Sequence, residues 1–364
     1  MIIADVVSFL ETLAHSSLQE SYDNAGLITG HPSWECKGVL CTLDVTEEVV
    51  KEAMAKKCNL IVAHHPIIFR GLKRINGHNY VERTVIMAIK NDIAIYAIHT
   101  NLDNVLHGVS GKMASILGLQ NTRVLAPKEN TLRKLYTFAA KDKADQVRNA
   151  LFAAGAGHIG NYSECSFNAD GTGTFKAGKG TDPYVGQQGS QHREPETKIE
   201  VIFPSYLESA ILDALVKNHP YEEVAYDVVA LSNRHPATGA GLTGELPEPV
   251  QEKAFLEMLK SRFGLALVRH TPLTGRSIQR VALCGGAGSF LISNALRAKA
   301  DIYITADMKY HEFFDADGRM VIADIGHYES EQFTTALLQE VLEEKFLTFA
   351  VLKTTVNTNP VQYF

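Results

Sequence analysis

The sequence predicts an α/β protein made of two α/β lobes with an inserted α+β domain between them. The chain has 364 residues, which is more than a single hydrophobic core usually organises. Residues 38–126 alternate short apolar runs with helix-like segments, and the same rhythm returns in residues 280–346. In the segment between these two regions, the predicted strands and helices follow a different order. We therefore expect an N-terminal lobe at residues 1–129, an insert at 130–233 and a C-terminal lobe at 234–364.

The N-terminal lobe begins with an amphipathic helix and continues through three strands. Apolar side chains recur at helical spacing within residues 3–13. The apolar runs GVLCTLDVT, NLIVAHH and DIAIYAIHTNLD predict strands, and the intervening TEEVVKEAMAKK and VERTVIMAIKN predict helices. Thr46 precedes two glutamates and is expected to cap the first of these helices. Continuous apolar strands that alternate with helices indicate a parallel sheet covered on both faces.

The middle segment has the order strand, helix, strand, loop, strand, helix, strand. Its strands are predicted at LRKLYTFAA, SECSFNADGTGTF, TKIEVIFP and EVAYDVVAL, and its helices at KADQVRNALFAAG and YLESAILDALVKNH. This is the element order of a ferredoxin-like domain. A domain of this kind is tolerated as an insertion in a surface loop, because the two ends of a domain often lie close together.

The C-terminal lobe repeats the β-α rhythm of the N-terminal lobe without repeating its residues. RVALCGGAGSF predicts a strand that enters a glycine turn, and ADIYITAD and RMVIADIGH predict two further strands. Helices are predicted at FLISNALRAKA and SEQFTTALLQEVLEEKF. The glycine turn before a helix could cradle a phosphate, or it could be purely structural.

Composition and charge exclude several classes of protein. The net charge of −6 counts against a broad surface for nucleic acid, and no apolar stretch approaches the ~20 residues that span a bilayer. Residues 1–17 include Asp5 and Glu11 and lack the basic start of a signal peptide. The five cysteines are widely spaced and form no CxxC pair, so we expect a reducing, cytoplasmic setting.

Residues of metal-binding type stand at the carboxyl ends of the predicted strands, where parallel sheets form their sites. NLIVA ends in His64 and His65, and IAIYAI leads to Asp103. MVIADIG ends in His327, and Glu331 lies one helical turn later on the same face. Three imidazoles and two carboxylates suit Zn²⁺, Fe²⁺, Mn²⁺ or Co²⁺, and five ligands suit two ions bridged by a carboxylate better than one ion.

Each of these residues also has a structural explanation when it is taken alone. A single histidine at a strand end is more often a hydrogen-bonded structural residue than a ligand. Asp103 could be a turn residue, and Glu331 could be a helix first-turn charge. The hypothesis of a metal site rests on the convergence of all five groups on one edge. Adjacent histidines fit two ions because the side chains of neighbouring strand residues diverge.

The motifs of the chain match a known family. The chain resembles the NIF-three-like dinuclear metal-centre proteins, which are also called type-two homologues of GTP cyclohydrolase I. The matching motifs are YDNAGL (22–27), LDVT (43–46), AHHP (63–66), HTNLD (99–103), GGAG (285–288), ITADMKYHE (304–312) and DIGHYESE (324–331). They are spread over both outer lobes. In the insert, HPYEEVAYDV (219–228) and GKGTDPYVGQQG (178–189) resemble CutA and PII-type signalling domains.

The resemblance implies a fold, a cofactor and an assembly. The fold would be the two α/β lobes of a NIF-three-like protein with a PII/CutA-like insert. The cofactor would be two divalent metal ions per chain, with Glu331 as the bridge between them. Their ligands would be His64, His65, Asp103, His327 and Glu331. The assembly would be a ring-like homohexamer built from two trimers, with the metal sites facing an internal cavity.

Three functions are compatible with such a site. The first is a metal-dependent hydrolase of a small molecule, and the cyclohydrolase name points to a purine-type ring opening. Asp307 and His311 flank the predicted site and would carry a proton in that reaction, or they are partners of the ligands or surface residues at a helix start. The second is a non-enzymatic, metal-handling or regulatory ring whose PII-like insert senses a ligand. The third, a nucleic-acid partner, is disfavoured by the acidic charge.

Overall fold

The computed structural model describes residues 1–364 as a mixed α/β protein with three sheets, which confirms the predicted mixture of elements. Its strands are β1 Gly26–Thr29, β2 Val39–Thr42, β3 Leu60–Ala63, β4 Ala94–Ala97, β5 Gln120–Pro127, β6 Leu132–Ala140, β7 Ser166–Lys176, β8 Gln191–Pro204, β9 Tyr226–Ala230, β10 Gly239–Gln251, β11 Arg269–His270, β12 Ser277–Ala287, β13 Ile302–Ala306, β14 Val321–Asp324 and β15 Val351–Lys353.

Eleven α-helices alternate with these strands. They are α1 Ile3–Leu13, α2 Glu47–Ala55, α3 Tyr80–Lys90, α4 Thr100–Asp103, α5 Val109–Leu117, α6 Ala144–Ala153, α7 Glu208–Asn218, α8 Glu252–Phe263, α9 Ile292–Arg297, α10 His327–Glu331 and α11 Thr334–Lys345. Short 3₁₀ turns occupy Ser16–Leu18, Ser205–Leu207, Ser289–Leu291 and Tyr310–Ala316. No helix combines the length and the apolar composition that crossing a membrane would require.

The chain divides into two compact units. The first comprises residues 1–127 together with 237–364, and the second comprises residues 128–236. The first unit contains a five-stranded and a six-stranded sheet, and the second contains one four-stranded sheet with a core of its own.

The five-stranded sheet of the first unit has the strand order β1-β4-β3-β2-β15. Strands β4, β3, β2 and β15 are parallel, and β1 is antiparallel at the edge. Every residue of β2, β3 and β4 is buried, because α1 and α11 pack on one face and α2 and α3 on the other. Thr46 caps α2 as predicted, since its side chain accepts a hydrogen bond from the backbone N–H of Val49 at 3.3 Å.

The six-stranded sheet of the first unit has the strand order β11-β14-β13-β12-β10-β5. Strands β12, β13 and β14 are parallel, and β11, β10 and β5 are antiparallel to their neighbours. One face packs against α5 and α8, and the other packs against α9. The parallel strands thus carry helices on both faces, as their continuous apolar sequences require.

Two segments of the chain cross from one sheet to the other. α5 and β5 lie in the sequence with the first sheet, yet β5 pairs with β10 and α5 packs on the second sheet. Conversely, α11 packs on the first sheet and β15 extends it by pairing with β2. Neither sheet therefore takes all of its strands from only one of the predicted lobes 1–129 and 234–364. The reason is that an edge strand pairs with whichever neighbour presents free N–H and C=O groups, which periodicity does not reveal.

The second unit is an antiparallel sheet in the order β7-β8-β6-β9. Its elements follow one another as β6, α6, β7, β8, α7 and β9, in agreement with the pattern of the sequence. Side chains such as Leu135, Ile199 and Phe203 point to one face of the sheet and form a core with α6 and α7. Four strands covered by two helices are sufficient for an independently stable core.

We expect the first unit to fold without the second. Pro127 and Gly239 are paired residues of neighbouring antiparallel strands, so a short linker can close the gap where residues 128–236 are removed. A variant with a Gly-Ser linker of about four residues in their place should unfold in one cooperative thermal transition by circular dichroism. It should also bind as much divalent metal as the full chain. A variant that is unfolded after purification would contradict the division into two units.

Candidate metal centre

The predicted ligands lie at the carboxyl ends of strands from both sheets of the first unit. His64 and His65 directly follow β3, and Asp103 is the last residue of α4, after β4. His327 and Glu331 are the first and last residues of α10, after β14, so they share one face of a helical turn. The structure brings these five side chains together, and we call them the ligand cluster.

Glu331 connects two groups within the ligand cluster. Its Oε2 atom lies 3.0 Å from Nε2 of His65 and 3.1 Å from Nε2 of His327. Its Oε1 atom lies 3.8 Å from Nε2 of His64, which in turn is 3.7 Å from Oδ1 of Asp103. In each group the ligand atoms lie within 4.8 Å of one another. A carboxylate that directs one oxygen to each of two groups has the arrangement of a bridging ligand.

Hydrogen bonds determine which ring nitrogen faces the ligand cluster. Nδ1 of His64 donates to the backbone carbonyl of Ile98 at 2.9 Å, and Nδ1 of His65 donates to Asp44 at 2.8 Å. A carbonyl and an ionised carboxylate can only accept, so Nδ1 carries a proton in both rings. Nε2 is then the atom that is available to a metal, which is the usual arrangement of metal-binding histidines.

Asp307 orients the ring of His327 in the same way. It follows β13, and its Oδ2 atom accepts a hydrogen bond from Nδ1 of His327 at 2.7 Å. Nε2 of His327 therefore faces the cluster, where it lies 3.4 Å from Nε2 of His65. The hydrogen bond with His327 lowers the pKa of Asp307. The backbone of Asp307 has φ +55°, a conformation uncommon outside glycine and one that aspartate tolerates.

His311, the other residue that was predicted to carry a proton, is not among the grouped ligand atoms. It lies on the 3₁₀ turn Tyr310–Ala316, and its side chain is exposed. Its ring contacts the rings of Tyr310 and Phe314, with centroids 5.2 and 6.4 Å away. His311 is therefore close to Asp307 in the sequence but is not part of the ligand cluster.

His99 is a further imidazole at the site, absent from the predicted ligand set. It follows β4, and its ring centroid lies 5.3 Å from those of both His64 and His65. Its Nδ1 donates to Asp23 at 2.7 Å, and Asp23 also accepts the backbone N–H of Thr100 at 3.0 Å. Burial opposes the charge of Asp23, but hydrogen bonds from the side chains of His99 and Thr100 lower its pKa. The motifs YDNAGL and HTNLD contain this pair, yet nothing in either motif shows that the two residues meet.

Three buried atoms of the ligand cluster make no hydrogen bond of good geometry, although one of them, Oε2 of Glu331, lies close to the Nε2 atoms of two histidines. The three atoms are Nε2 of His64, Oδ1 of Asp103 and Oε2 of Glu331. Only six buried side-chain polar atoms of the whole chain lack a partner, so half of them are in this cluster. An unpaired buried polar atom costs about 1–3 kcal/mol. A cation that these atoms ligate explains the concentration, and nitrogen and carboxylate donors fit a divalent transition metal.

The charged groups of the site shift the pKa values of one another. Burial opposes the charge of His65, but Asp44 and Glu331 raise its pKa to about 9. Burial also opposes the charge of His327, but Asp307 and Glu331 raise its pKa to about 11. Burial opposes the charge of Glu331 as well, yet the histidines hold its pKa well below its usual range. Without a cation, the site therefore retains protons on the Nε2 atoms of His65 and His327 near neutral pH.

We expect metal binding to release these protons. A cation must replace the Nε2 protons of His65 and His327, whose raised pKa values keep them protonated at pH 7. Burial also raises the pKa of Asp103 to about 7, so this ligand is partly protonated at pH 7. Calorimetric titration with Zn²⁺ in two buffers of different ionisation enthalpy should therefore show between about two and three protons released per chain. Metal affinity should increase as the pH rises toward 9. The variant His311→Ala serves as a control and should release the same number of protons, whereas binding without proton release would contradict this account.

The stability of the metal-free protein should decrease as the pH rises, whereas its metal affinity should increase. A histidine whose pKa is raised by folding stabilises the folded state fully below its unfolded pKa of about 6.5. That stabilisation is lost as the pH rises through about 9 for His65 and about 11 for His327. The melting temperature of the metal-free protein should therefore decrease from pH 7 to pH 9, relative to that of the metal-loaded protein.

The glycine turn at the end of β12 packs closely against the side chain of Glu331. The backbone N–H of Gly286 donates to Oγ of Ser330 at 2.9 Å. Gly286 has φ +62°, and a Cβ atom there would lie 2.4 Å from Oε1 of Glu331. At Gly285 a Cβ atom would lie 2.5 Å from the side chain of Val109. The close approach of Glu331 and Val109 to the backbone therefore explains the glycines at positions 286 and 285 without a bound phosphate.

The ligand cluster opens into a cleft of about 670 Å³. The side chains that line it include His65, His99, Asp307 and His327 as polar groups, and Leu43, Phe69 and Leu267 as apolar groups. Further polar residues in the lining are Asp44, Arg269, Asp324, Tyr328 and Glu329. A cleft of this size is typical of a site for a small molecule.

The whole chain matches one known family. The family model described as Duf34/NIF3 (NGG1p interacting factor 3) matches residues 1–360. A protein of Halalkalibacterium halodurans named GTP cyclohydrolase 1 type 2 homolog is 40% identical over 364 residues, which cover 98% of each chain. The crystal structure of a Bacillus cereus protein related to NIF3 superposes with a TM-score of 0.88 at 38% identity, covering 100% of this chain and 99% of that one. The Staphylococcus aureus protein SA1388 superposes with a TM-score of 0.78 at 30% identity and the same coverage.

Proposed function

The chain belongs to the Duf34/NIF3 family, and from this premise we propose that it is a dinuclear metal-dependent hydrolase of a small molecule. The observation that carries the proposal is the position of Glu331, whose two oxygens face two separate groups of ligand atoms. The name GTP cyclohydrolase 1 type 2 homolog, which relatives of the chain carry, supports a nucleotide-like or other small substrate.

Two divalent ions of Zn, Fe, Mn or Co would divide the ligand cluster between them. His64 and Asp103 would hold one ion, His65 and His327 the other, and Glu331 both. Each of the two adjacent histidines after β3 would then bind a different ion from the same rigid strand end. When bound, such a pair of ions supplies Lewis-acid activation of a water molecule and of a substrate oxygen near neutral pH.

The residues around the ligands orient them and move protons. Asp44 and Asp307 hold the rings of His65 and His327 with Nε2 toward the cluster. Asp307 is also half exposed in the cleft, with 52% of its side chain accessible, so it can accept a proton from the reacting groups and pass it to solvent. Phe69 adds an apolar side chain to the lining of the same cleft.

A regulatory, non-enzymatic role is the second candidate, and the second unit favours it. We propose that this unit is a PII/CutA-like domain, since its strand order β7-β8-β6-β9 is that of a ferredoxin-like sheet. It has its own cavity of about 700 Å³, lined among others by Phe138, Tyr184 and Tyr221. A ligand in that cavity would make the metal centre part of a sensing assembly rather than a catalyst.

One experiment separates these candidates. The full chain is loaded with Zn²⁺ or Mn²⁺, freed of excess metal, analysed for metal content, and screened against nucleoside triphosphates, phosphoesters and amides. A hydrolase should hold close to two ions per chain and turn over at least one substrate class, with loss of activity on chelation and recovery on reloading. Two ions without turnover of any class would favour the regulatory role, and activity that survives chelation would refute the hydrolytic centre.

The assembly proposed for the chain is a homohexamer of two trimers, as its resemblance to the family implies. Light scattering of the purified protein at micromolar concentration should give a mass six times that of the chain. A stable monomer at that concentration would contradict this assembly, while leaving the metal centre of the single chain untouched.

A further inference from the structure

The last eight residues of the chain, 357–364, form part of the cleft that holds the ligand cluster. We call them the tail segment. Asn359, Pro360, Val361 and Tyr363 line the cleft together with His65 and His327, whereas Gln362 is exposed and does not. The tail segment follows β15, the strand that returns from the second sheet to the first, so the crossing of the chain delivers it to the site.

Hydrogen bonds attach the tail segment to the groups that surround the ligands. Oγ1 of Thr358 donates to Oδ2 of Asp44 at 2.7 Å. The other oxygen of Asp44 accepts the Nδ1 proton of His65. Nδ2 of Asn359 donates to Oε1 of Glu329 at 3.1 Å. The tail segment is therefore attached both to Asp44, which orients the ring of His65, and to Glu329 of α10.

Apart from Asn359, the side chains that the tail segment presents to the cleft are apolar or aromatic. Val361 is 52% exposed and Tyr363 is 45% exposed, although both line a concave surface. The hydroxyl of Tyr363 lies against Gly326, where a Cβ atom would be 3.2 Å from it. Phe69 lines the same cleft and is 48% exposed. Accessible apolar surface beside a ligand cluster indicates the site of an apolar part of a bound molecule.

We propose that the tail segment forms one wall of the metal cleft and determines which ligands bind there. This wall favours small ligands that combine an oxyanion with a flat apolar ring, and we call it a specificity wall. The inference rests on the proposed function, because the oxyanion would bind at the loaded ligand cluster. The ring would pack against Val361, Tyr363 and Phe69, each of which is about half exposed. The cleft of about 670 Å³ accommodates a molecule of this size.

A purely structural role of the tail segment is the alternative. In that case Thr358 would only steady Asp44, and through it the ring of His65. Loss of the tail contacts would then weaken the binding of every ligand at the metal centre to the same extent. A specificity wall instead weakens only those ligands that carry a ring.

The test compares two probes that share an oxyanion and differ in a ring. Methylphosphonate and phenylphosphonate are titrated by calorimetry into the full chain loaded with Zn²⁺, and metal content is measured for every variant. In the variants Val361→Ala and Tyr363→Ala, the affinity for phenylphosphonate should fall about tenfold, because apolar contact area is lost. The affinity for methylphosphonate should change less than about twofold. The matched control is Gln362→Ala, which should bind both probes as the wild type does.

The outcomes distinguish failure of the inference from failure of the proposed function. Equal loss of both probes in Val361→Ala and Tyr363→Ala would assign the tail segment a structural role and overturn the inference. Unchanged binding of both probes would overturn it as well. If the metal-loaded wild type binds neither phosphonate, the inference is overturned, whereas the proposed hydrolytic centre is tested separately by metal content and by turnover in the substrate screen.

Discussion

Replacement of Glu331 by alanine should abolish metal binding at the site while the protein stays folded. Glu331 belongs to two of the three groups of neighbouring ligand atoms, the third being His64, His65 and His99. Its loss therefore removes a ligand from each proposed ion at once. It also removes the buried carboxylate that lies between the imidazoles of His65 and His327, whose Nε2 atoms are 3.4 Å apart. We expect the metal affinity of Glu331→Ala to fall by at least about a hundredfold.

The measurement is metal analysis of loaded, desalted protein, with circular dichroism to verify the fold. Glu329→Gln is the matched control, because Glu329 is also a buried glutamate of α10 but belongs to none of the three groups of ligand atoms. The control should retain the metal content of the wild type. A folded Glu331→Ala protein that still holds two ions would show that Glu331 does not bridge them, and the dinuclear centre as proposed would be wrong.

Replacement of His65 by alanine should abolish turnover, whereas Asp307→Asn should only reduce it. His65 provides Nε2 to the cluster, so we expect kcat/KM to fall about a thousandfold or more. An asparagine at position 307 can still accept the Nδ1 proton of His327 but cannot take up a proton from the reaction. We therefore expect Asp307→Asn to keep its metal and to lose about 10–100-fold in kcat/KM.

These rates are measured with whichever substrate the screen identifies, at matched metal content. His311→Ala is the control for Asp307→Asn, because its ring contacts Tyr310 and Phe314 instead of the ligand cluster. It should retain the wild-type rate. An unchanged rate in Asp307→Asn would remove Asp307 from proton transfer, and full activity in His65→Ala would separate turnover from the ligand cluster.

The five residues of the ligand cluster could be placed together from the sequence because their positions follow a local rule. His64, His65 and His327 come after continuous apolar runs, which are buried parallel strands, and the carboxyl ends of such strands form the site of a sheet. Glu331 lies four residues after His327, a spacing that one helical turn converts into proximity. Short-range patterns were sufficient for these residues, since each inference needed only a strand end or a turn.

The partners that orient these ligands could not be predicted in this way. Asp23 accepts the Nδ1 proton of His99 across 76 residues, and Thr358 donates to Asp44 across 314 residues. Neither spacing has a local signature, because a hydrogen bond between distant segments depends on how the strands are ordered in space. The position of the tail segment in the cleft could not be predicted either, because residues 357–364 show no periodicity.

By itself, the sequence determined the α/β class, the alternation of strands and helices, the insert-like middle segment and the chemical type of the site. Those properties depend on burial and periodicity, which are written in consecutive residues. Only the tertiary structure decided that β5 joins the second sheet and β15 the first, and that the two sheets meet at Glu331. An edge strand has the same pattern whichever sheet it extends, so its partner is selected by the packing of the whole unit.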